Sequence, residues 1–412
     1  MHAAARPLAE TSRPVQRVLL VHNRYRRGAP AGEDNAFDQE VDMLRNAGLE
    51  VDMYLRSNDE VRESNPVAAA AIAFGMAHSR RTVRDLRAII ARFQPEVVHF
   101  HNTFPLITAS GYLACREAGV PVVQTLHNYR ILCSEASLYR DGATCNLCSP
   151  SSHFNAVRYG CYRSRVASFF VARTLESQWR SGVFANHVDR YIALTEFAAQ
   201  RFAAAGIGRE RISIKPNFTR YVPEPGDGGG GYVLFAGKLQ AQKGLGTLLR
   251  AWRRLAQVPL RIVGTGPLDS ELRAQAAEQR LNIEFLGMRP RHETIQLMRG
   301  AAALVLPSEW YEGFPLVVSE AYASGTPIVA SRIGGLPELV REGVTGVLFE
   351  PGNADALAES VEALWGRRAE LAPMRRACRA VFDAELSEGR NLEMLLGIYA
   401  RVKPYSRPTA ET

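Results

Sequence analysis

Short apolar runs alternating with helix-period segments constrain this chain more than any single motif. Strands buried on both faces pair in parallel, and parallel strands need crossover helices between them. In the first half the runs are RVLLVHN (17–23), EVDMYL (50–55), EVVHFHN (96–102), PVVQTLHN (121–128), RYIALT (190–195) and RISIKPN (211–217). Helical patterns near 35–47, 80–93, 108–118 and 166–185 separate most of them. YVPEPGDGGGGY (221–232) then interrupts with two prolines and five glycines, a composition that cannot bury a core and marks a linker. The alternation restarts with YVLFAGKL (232–239), LRIVGTG (260–266), IEFLGM (283–288), AALVLPS (302–308), PIVAS (327–331) and GVLFE (346–350). The predicted fold class is α/β, with two doubly wound Rossmann-like domains facing a central cleft. Ligands are expected beyond the carboxyl ends of the strands. We place an N-terminal arm at 1–16, the first domain at 17–220, the linker at 221–231, the second domain at 232–385 and a final segment at 386–412.

Length fits this division, since 412 residues at 46% hydrophobic supply two or three cores. No run of eighteen apolar residues occurs and residues 1–16 lack the apolar core of a signal peptide, so a cytoplasmic chain is expected. The net charge of +8 is uneven: residues 1–218 carry 27 Lys+Arg against 20 Asp+Glu, and the remainder 23 against 22. Arg80, Arg81, Arg84, Arg87 and Arg92 share one predicted helix. They form either a solvated face or a surface for an anionic membrane or a phosphate-bearing acceptor. Nucleic acid is not expected, because no aromatic stacking motif interleaves with the arginines.

The stretch PSEWYEGFPLVVSEAYASGTPIVAS (307–331) sets Glu312 in a loop and Glu320 inside the helix that follows. Pro315 suits the first helical position, and the amides of 313–316 would be open helix-start donors, a ready phosphate site. A carboxylate at Glu320 can accept two hydroxyls of a ribose or sugar diol, with Glu312 at the other end of the ligand. The plainer alternative is a helix-start charge and a solvated face residue. Lys238, at a strand end, and Lys243, opening the next helix, together suit a diphosphate leaving group.

The set G-K-L-x4-K-G, V-G-x-G-P, F-L-G, E-G-F-P-L-V-V-S-E-A and G-G-x-x-E-L-V, in order over 232–350, resembles the second domain of retaining glycosyltransferase family 4, which has the GT-B fold. LLVHNRYRRGAPAGEDNAF, VVHFHNTFP and PVVQTLHNYR are similar to a bacterial subset associated with polysaccharide assembly. The resemblance implies that Glu320 binds the donor ribose and Glu312 the sugar hydroxyls, while Lys238 and Lys243 hold the diphosphate. It implies that Gly313, Phe314 and Pro315 approach the donor through their backbones. It further implies that His127 lies beside the reacting sugar and that Gly32, in the turn Gly32–Glu33–Asp34, lies near donor phosphate and acceptor. Two departures stand out: Lys238 replaces the usual arginine, losing its bidentate fork, and the glycine loop reads GAPAGED. The final helix, by the same resemblance, returns toward the first domain.

The expected chemistry is hexosyl transfer from a nucleotide diphosphate sugar, UDP- or GDP-linked, to a saccharide or lipid-linked saccharide. The diphosphate departs first and accepts the attacking hydroxyl's proton. No catalytic metal is expected, the lysines serving instead. A sugar phosphorylase, a sugar-nucleotide epimerase and a nonenzymatic nucleotide- or partner-binding protein are the alternatives. His99 and His101 fall on one strand face and are read as cleft-lining or packing residues. Cys133, Cys145, Cys148 and Cys161, spaced C-x11-C-x2-C-x12-C, suit a closed structural zinc site, with free thiols or a disulfide as alternatives. Cys115 and Cys378 are read as packing residues.

Overall fold

A computed structural model describes residues 15–28, 32–61, 75–148 and 152–402. The expected arm at 1–16 therefore lies almost wholly outside the described residues. Strands β1 (Arg17–Arg24), β2 (Glu50–Ser57), β3 (Val97–Phe100) and β4 (Val122–Leu126) alternate with α1 (Gly32–Asn46), α2 (Arg80–Phe93) and α3 (Ser110–Glu117). A short hairpin, β5 (Tyr139–Arg140) with β6 (Ala143–Thr144), leads into α4 (Asn155–Tyr159) and α5 (Arg165–Arg180). The unit ends with α6 (Val183–Asn186), β7 (Arg190–Ala193), α7 (Glu196–Ala204) and β8 (Ile212–Ile214). The single helix expected over 166–185 is thus two, interrupted after Arg180. The first sheet runs β2-β1-β3-β4-β7-β8, all parallel.

Residues 215–232 carry no helix or strand, which fits their prolines and glycines. The second sheet holds β9 (Val233–Ala236), β10 (Leu260–Val263), β11 (Ile283–Gly287), β12 (Leu304–Leu306), β13 (Ile328–Ser331) and β14 (Gly346–Phe349). Its helices are α8 (Leu245–Trp252), α9 (Asp269–Glu278), α10 (Arg291–Gly300), α11 (Leu316–Ala323), α12 (Leu336–Leu339), α13 (Ala354–Gly366) and α14 (Ala372–Val381), followed by α15 (Glu388–Tyr399). The parallel order β11-β10-β9-β12-β13-β14 reverses direction at β9, and the first sheet's order reverses at β1. Such switch points open a crevice at the strands' carboxyl ends.

Helices cover both faces of each sheet, so the central strands are continuous apolar runs: Val18–Val21 and Val97–Val98 in one, Leu304–Leu306 and Ile328–Ala330 in the other. Chain order does not decide which core a helix joins. Leu395, Ile398 and Tyr399 of α15 pack with Val18, Leu20, Phe37 and Val123, on the first sheet.

Candidate active site

Two loops meet at the second sheet's switch point. The first follows β9 and carries Lys238, exposed and without a side-chain bond among the described residues. It continues into a single 3-10 turn, Ala241–Lys243, rather than directly into a helix; α8 begins two residues after Lys243. Gly244 sits at φ 69°, and a Cβ there would stand 1.7 Å from the Pro307 carbonyl oxygen, so only glycine lets this turn lie against the β12 loop. That approach delivers Lys243 Nζ to 2.7 Å from Glu312 Oε1. Ser308 Oγ donates to the same oxygen at 2.6 Å. Glu312 is nearly buried, whereas the Lys243 side chain keeps 20% of its surface open.

The helix expected to start at Pro315 starts at Leu316. Pro315 keeps the φ of −65° that its ring imposes, but its ψ of 123° makes it the residue before the helix. No side chain caps this N-terminus. One turn inside α11, Glu320 receives Arg291 Nη2 at 2.9 Å. Burial raises its carboxyl pKa and the guanidinium opposes the rise. Arg291 also donates to Thr219 Oγ1 at 2.6 Å and Gln39 Oε1 at 3.2 Å. One guanidinium therefore ties the second domain to α1 and to the start of the linker.

The loops touch the other domain directly. A Cβ on Gly313 would stand 3.0 Å from the His127 carbonyl oxygen, so the chain before α11 lies against the end of β4. Asn217 Nδ2 donates to the Phe314 carbonyl at 2.9 Å, and Ser319 Oγ to the Asn217 carbonyl at 2.9 Å. The Glu338 carboxylate accepts the amides of Glu196 and Phe197 at 2.7 and 2.6 Å, capping α7 across the cleft.

His127 lies over a buried polar floor. His101 Nδ1 is 2.9 Å from His127 Nε2, and His101 Nε2 is 3.2 Å from Glu40 Oε1. Burial drives the His101 pKa down to about 3, and burial together with His101 also depresses that of His127, so both rings are neutral near pH 7. A carboxylate only accepts, so His101 carries its proton on Nε2, accepts at Nδ1, and fixes the His127 proton on Nε2. The one ring atom His127 has left is Nδ1, an acceptor. Burial would raise the Glu40 carboxyl, but Lys215 at 2.9 Å and the two imidazoles hold it well below the usual range. Lys215 also donates to Asn391 Oδ1 at 2.8 Å, and His99 Nδ1 lies 2.8 Å from the Tyr399 hydroxyl; both partners belong to α15.

The space around His127 is small and lined by Glu33, His101, Thr103, Asn128 and Arg130. Gly32 opens α1 and is exposed, while 29–31 of its loop lie outside the described residues. Glu33 accepts from Asn128 Nδ2 and from the Tyr25 hydroxyl, and burial raises its pKa.

Known proteins fit both halves of this arrangement. The family profile described as glycosyl transferases group 1 matches residues 223–379, and that of the glycosyl transferase 4-like domain matches 32–217. The chain belongs to the GT-B, family 4-type glycosyltransferases. It is 31% identical over 181 residues to the amylovoran biosynthesis glycosyltransferase AmsK of Erwinia amylovora, covering 41% of this chain and 44% of that one. It is 34% identical over 242 residues to the D-inositol 3-phosphate glycosyltransferase of Nocardia farcinica, covering 52% of each. These matches span about half the length of the curated relatives. The crystal structure of Anabaena Alr3699/HepE in complex with UDP-glucose shares the fold, with a TM-score of 0.62 at 20% identity over 93% of this chain and 99% of that one.

Several cleft residues of this family 4-type chain escape a reading of motifs. Arg291 follows the F-L-G strand as an ordinary-looking helix opener, and Glu33, Asn128 and Arg130 lie within quoted stretches without being given a role of their own. His99 and His101 are buried and form with Glu40 the one group, among the described residues, whose potential ligand atoms all fall within 4.8 Å. Lys215 already occupies Glu40's second oxygen.

The four loop cysteines are free thiols and stand near one another. Burial raises the Cys148 thiol to about 12, and Cys133, Cys161 and Cys145 push it the same way. All four lie in the one loop region, where a closed structural zinc site is expected from their spacing. Cys115 and Cys378 are fully buried in the two cores.

Proposed function

We propose that this chain transfers a hexose from a nucleotide diphosphate sugar to a saccharide or lipid-linked saccharide acceptor in surface polysaccharide assembly, with retention at the anomeric carbon. The observation that carries the reading is the meeting of the Lys243–Glu312 pair with the His127 strand end across one cleft, joined through Gly313. A hexose held between them has a cation for its departing diphosphate on one side and the His127 acceptor atom on the other.

The C1–O bond to the diphosphate breaks with its electron pair leaving on phosphate, where Lys243, Lys238 and the uncapped N-terminus of α11 stabilise the charge. The acceptor oxygen then bonds C1 from the same face, and its proton passes to the departing phosphate. Glu312 turns Lys243 and takes a sugar hydroxyl; Glu320, steadied by Arg291, takes the ribose. His127 Nδ1 accepts a hydroxyl of the sugar rather than supplying a proton. No step needs a divalent metal. HepE's complex with UDP-glucose supports a nucleotide-sugar donor, and AmsK's role in amylovoran biosynthesis supports a polysaccharide product. No helix among the described residues is long and apolar enough to cross a membrane. Our reading places the chain in the cytoplasm, peripheral on an anionic membrane.

Calorimetric titration with UDP-, GDP- and ADP-sugars, with and without EDTA, tests this. One donor binds selectively, EDTA leaves binding unchanged, and Glu320→Ala removes it. Binding of none of the three would sink the donor site. A structural zinc on Cys133, Cys145, Cys148 and Cys161 is a separate proposal, resting on their spacing. Metal analysis of the purified chain returns one zinc per chain if it holds and none if it does not.

A further inference from the structure

The arginines of α2, which the sequence offers as a surface for an anionic partner, are largely occupied. Arg81 pairs with Glu60 at 3.0 Å, Arg84 with Asp85 at 2.7 Å, Arg87 with Glu117, and Arg92 with Asp52 at 2.6 Å. A different surface carries uncompensated charge. Residues 142–175 contain four arginines and no Asp or Glu; Arg163 is already engaged, which leaves Arg158, Arg165 and Arg173. Arg158, Arg165 and Arg173 are exposed and make no ion pair among the described residues.

The same segment concentrates exposed apolar area. Ten large apolar side chains stand exposed among the described residues, and five of them fall here: Leu147, Phe154, Tyr159, Val166 and Phe169. Three of them, Leu147, Phe154 and Phe169, are drawn together around α4. The Phe154 and Phe169 rings lie 6.0 Å apart, Asn155 Nδ2 ties α4 to the Leu147 carbonyl at 2.7 Å, and Arg158 lies 5.4 Å from the Tyr159 ring. On α5 the spacing sorts the faces: Val171, Ala172 and Leu175 turn into the protein, while Val166, Phe169 and Arg173 share the outer side. Val166 keeps 69% of its surface, which nothing among the described residues explains.

Aromatic and aliphatic side chains ringed by unpaired arginines match the chemistry of a bilayer interface, where apolar groups enter the headgroup boundary and cations meet lipid phosphates. We propose that α4 and the outer face of α5 are the surface by which this protein docks on an anionic membrane. The position serves the cleft. Next to this face, Tyr162 packs edge-on against Phe104 at 5.6 Å, and Arg130 lies over Phe104 at 4.2 Å; Phe104 and Arg130 line the space under His127. An acceptor anchored in that membrane would enter beside Arg130. The purpose rests on the lipid-linked acceptor reading above, but the surface is tested without any sugar.

The test is co-sedimentation of the full chain with vesicles of phosphatidylcholine alone or mixed with phosphatidylglycerol. The wild type binds the anionic vesicles and is released by salt. Arg165→Gln with Arg173→Gln weakens that binding about 30-fold, as expected for two cations lost at a charged surface. Val166→Ser with Phe169→Ser weakens it in a way that salt does not mimic. Both variants keep the wild-type melting temperature and calorimetric donor binding, so a failure here is distinguishable from failure of the transferase reading. Arg84→Gln with Arg87→Gln on α2 leaves binding unchanged. No binding by the wild type, undiminished binding by both α5 variants, or loss confined to the α2 variant would overturn the assignment. So would a wild type that self-associates through this face while ignoring vesicles.

Discussion

The molecule contains two buried lysine–glutamate pairs of nearly equal length, and they do opposite work. Glu40–Lys215, at 2.9 Å, lies under the first sheet's cleft with both side chains 4% exposed. Glu312–Lys243, at 2.7 Å, lies at the second sheet's edge with its lysine 20% exposed. The first is the more densely partnered: Asn391 shares the ammonium, and His99 and His101 share the carboxylate. The second leaves its ammonium facing a cleft with capacity to spare. Partner number and lysine exposure, rather than distance, separate the two pairs.

The sharpest way to break the comparison is to unpair each in turn. Glu40→Ala strands a buried ammonium and should cost about 3–5 kcal/mol of stability, read by chemical denaturation. A loss as small as that of an exposed pair would erase the contrast. Lys243→Ala should leave stability nearly intact and lower transfer about 100- to 1,000-fold, the effect of removing one donor to a developing oxyanion. Similar melting with full activity would move the charge-stabilising role elsewhere.

A pH titration sharpens the same contrast. The His101 and His127 pKa values are depressed on folding, so below about pH 6.5 the unfolded chain takes up protons that the folded chain refuses. Stability should therefore fall as pH drops from 6.5 toward 5, by about 1.4 kcal/mol per pH unit for each refused proton. Glu40's own contribution is lost only at lower pH, below the ordinary carboxylate range. His101→Gln should flatten the slope; an unchanged slope would place the refused protons outside this cluster. The smallest effect belongs to Arg84, whose exposed pair with Asp85 should be worth under about 1 kcal/mol on replacement by Gln.

The two pairs also mark what the sequence makes legible. Strand positions were readable because parallel strands covered on both faces must be apolar throughout, and all twelve runs hold strands. Glu312, Lys243 and His127 stood in motifs, and the fold brings all three to one cleft. Their pairings were not readable. Lys243 and Glu312 are 69 residues apart, and only the 3-10 turn at Gly244 joins them. Glu40 and Lys215 are 175 apart and sit in stretches whose pattern says only helix and strand. Arg291 looked like a helix opener because nothing local announces that it faces Glu320. The α2 arginines were left open between a solvated face and an anionic partner for the same reason: apart from Asp85 on α2 itself, their acids come from β2, the turn after it and α3.

The return of α15 to the first sheet has a consequence for how the protein is made. Asn391 and Tyr399 complete the floor beneath His127, yet they leave the ribosome after the whole second sheet. The first domain, though synthesised early, must wait for the rest of the chain before Lys215 and His99 gain these partners. A nascent chain halted anywhere in the second domain would carry a first domain whose polar floor is unfinished.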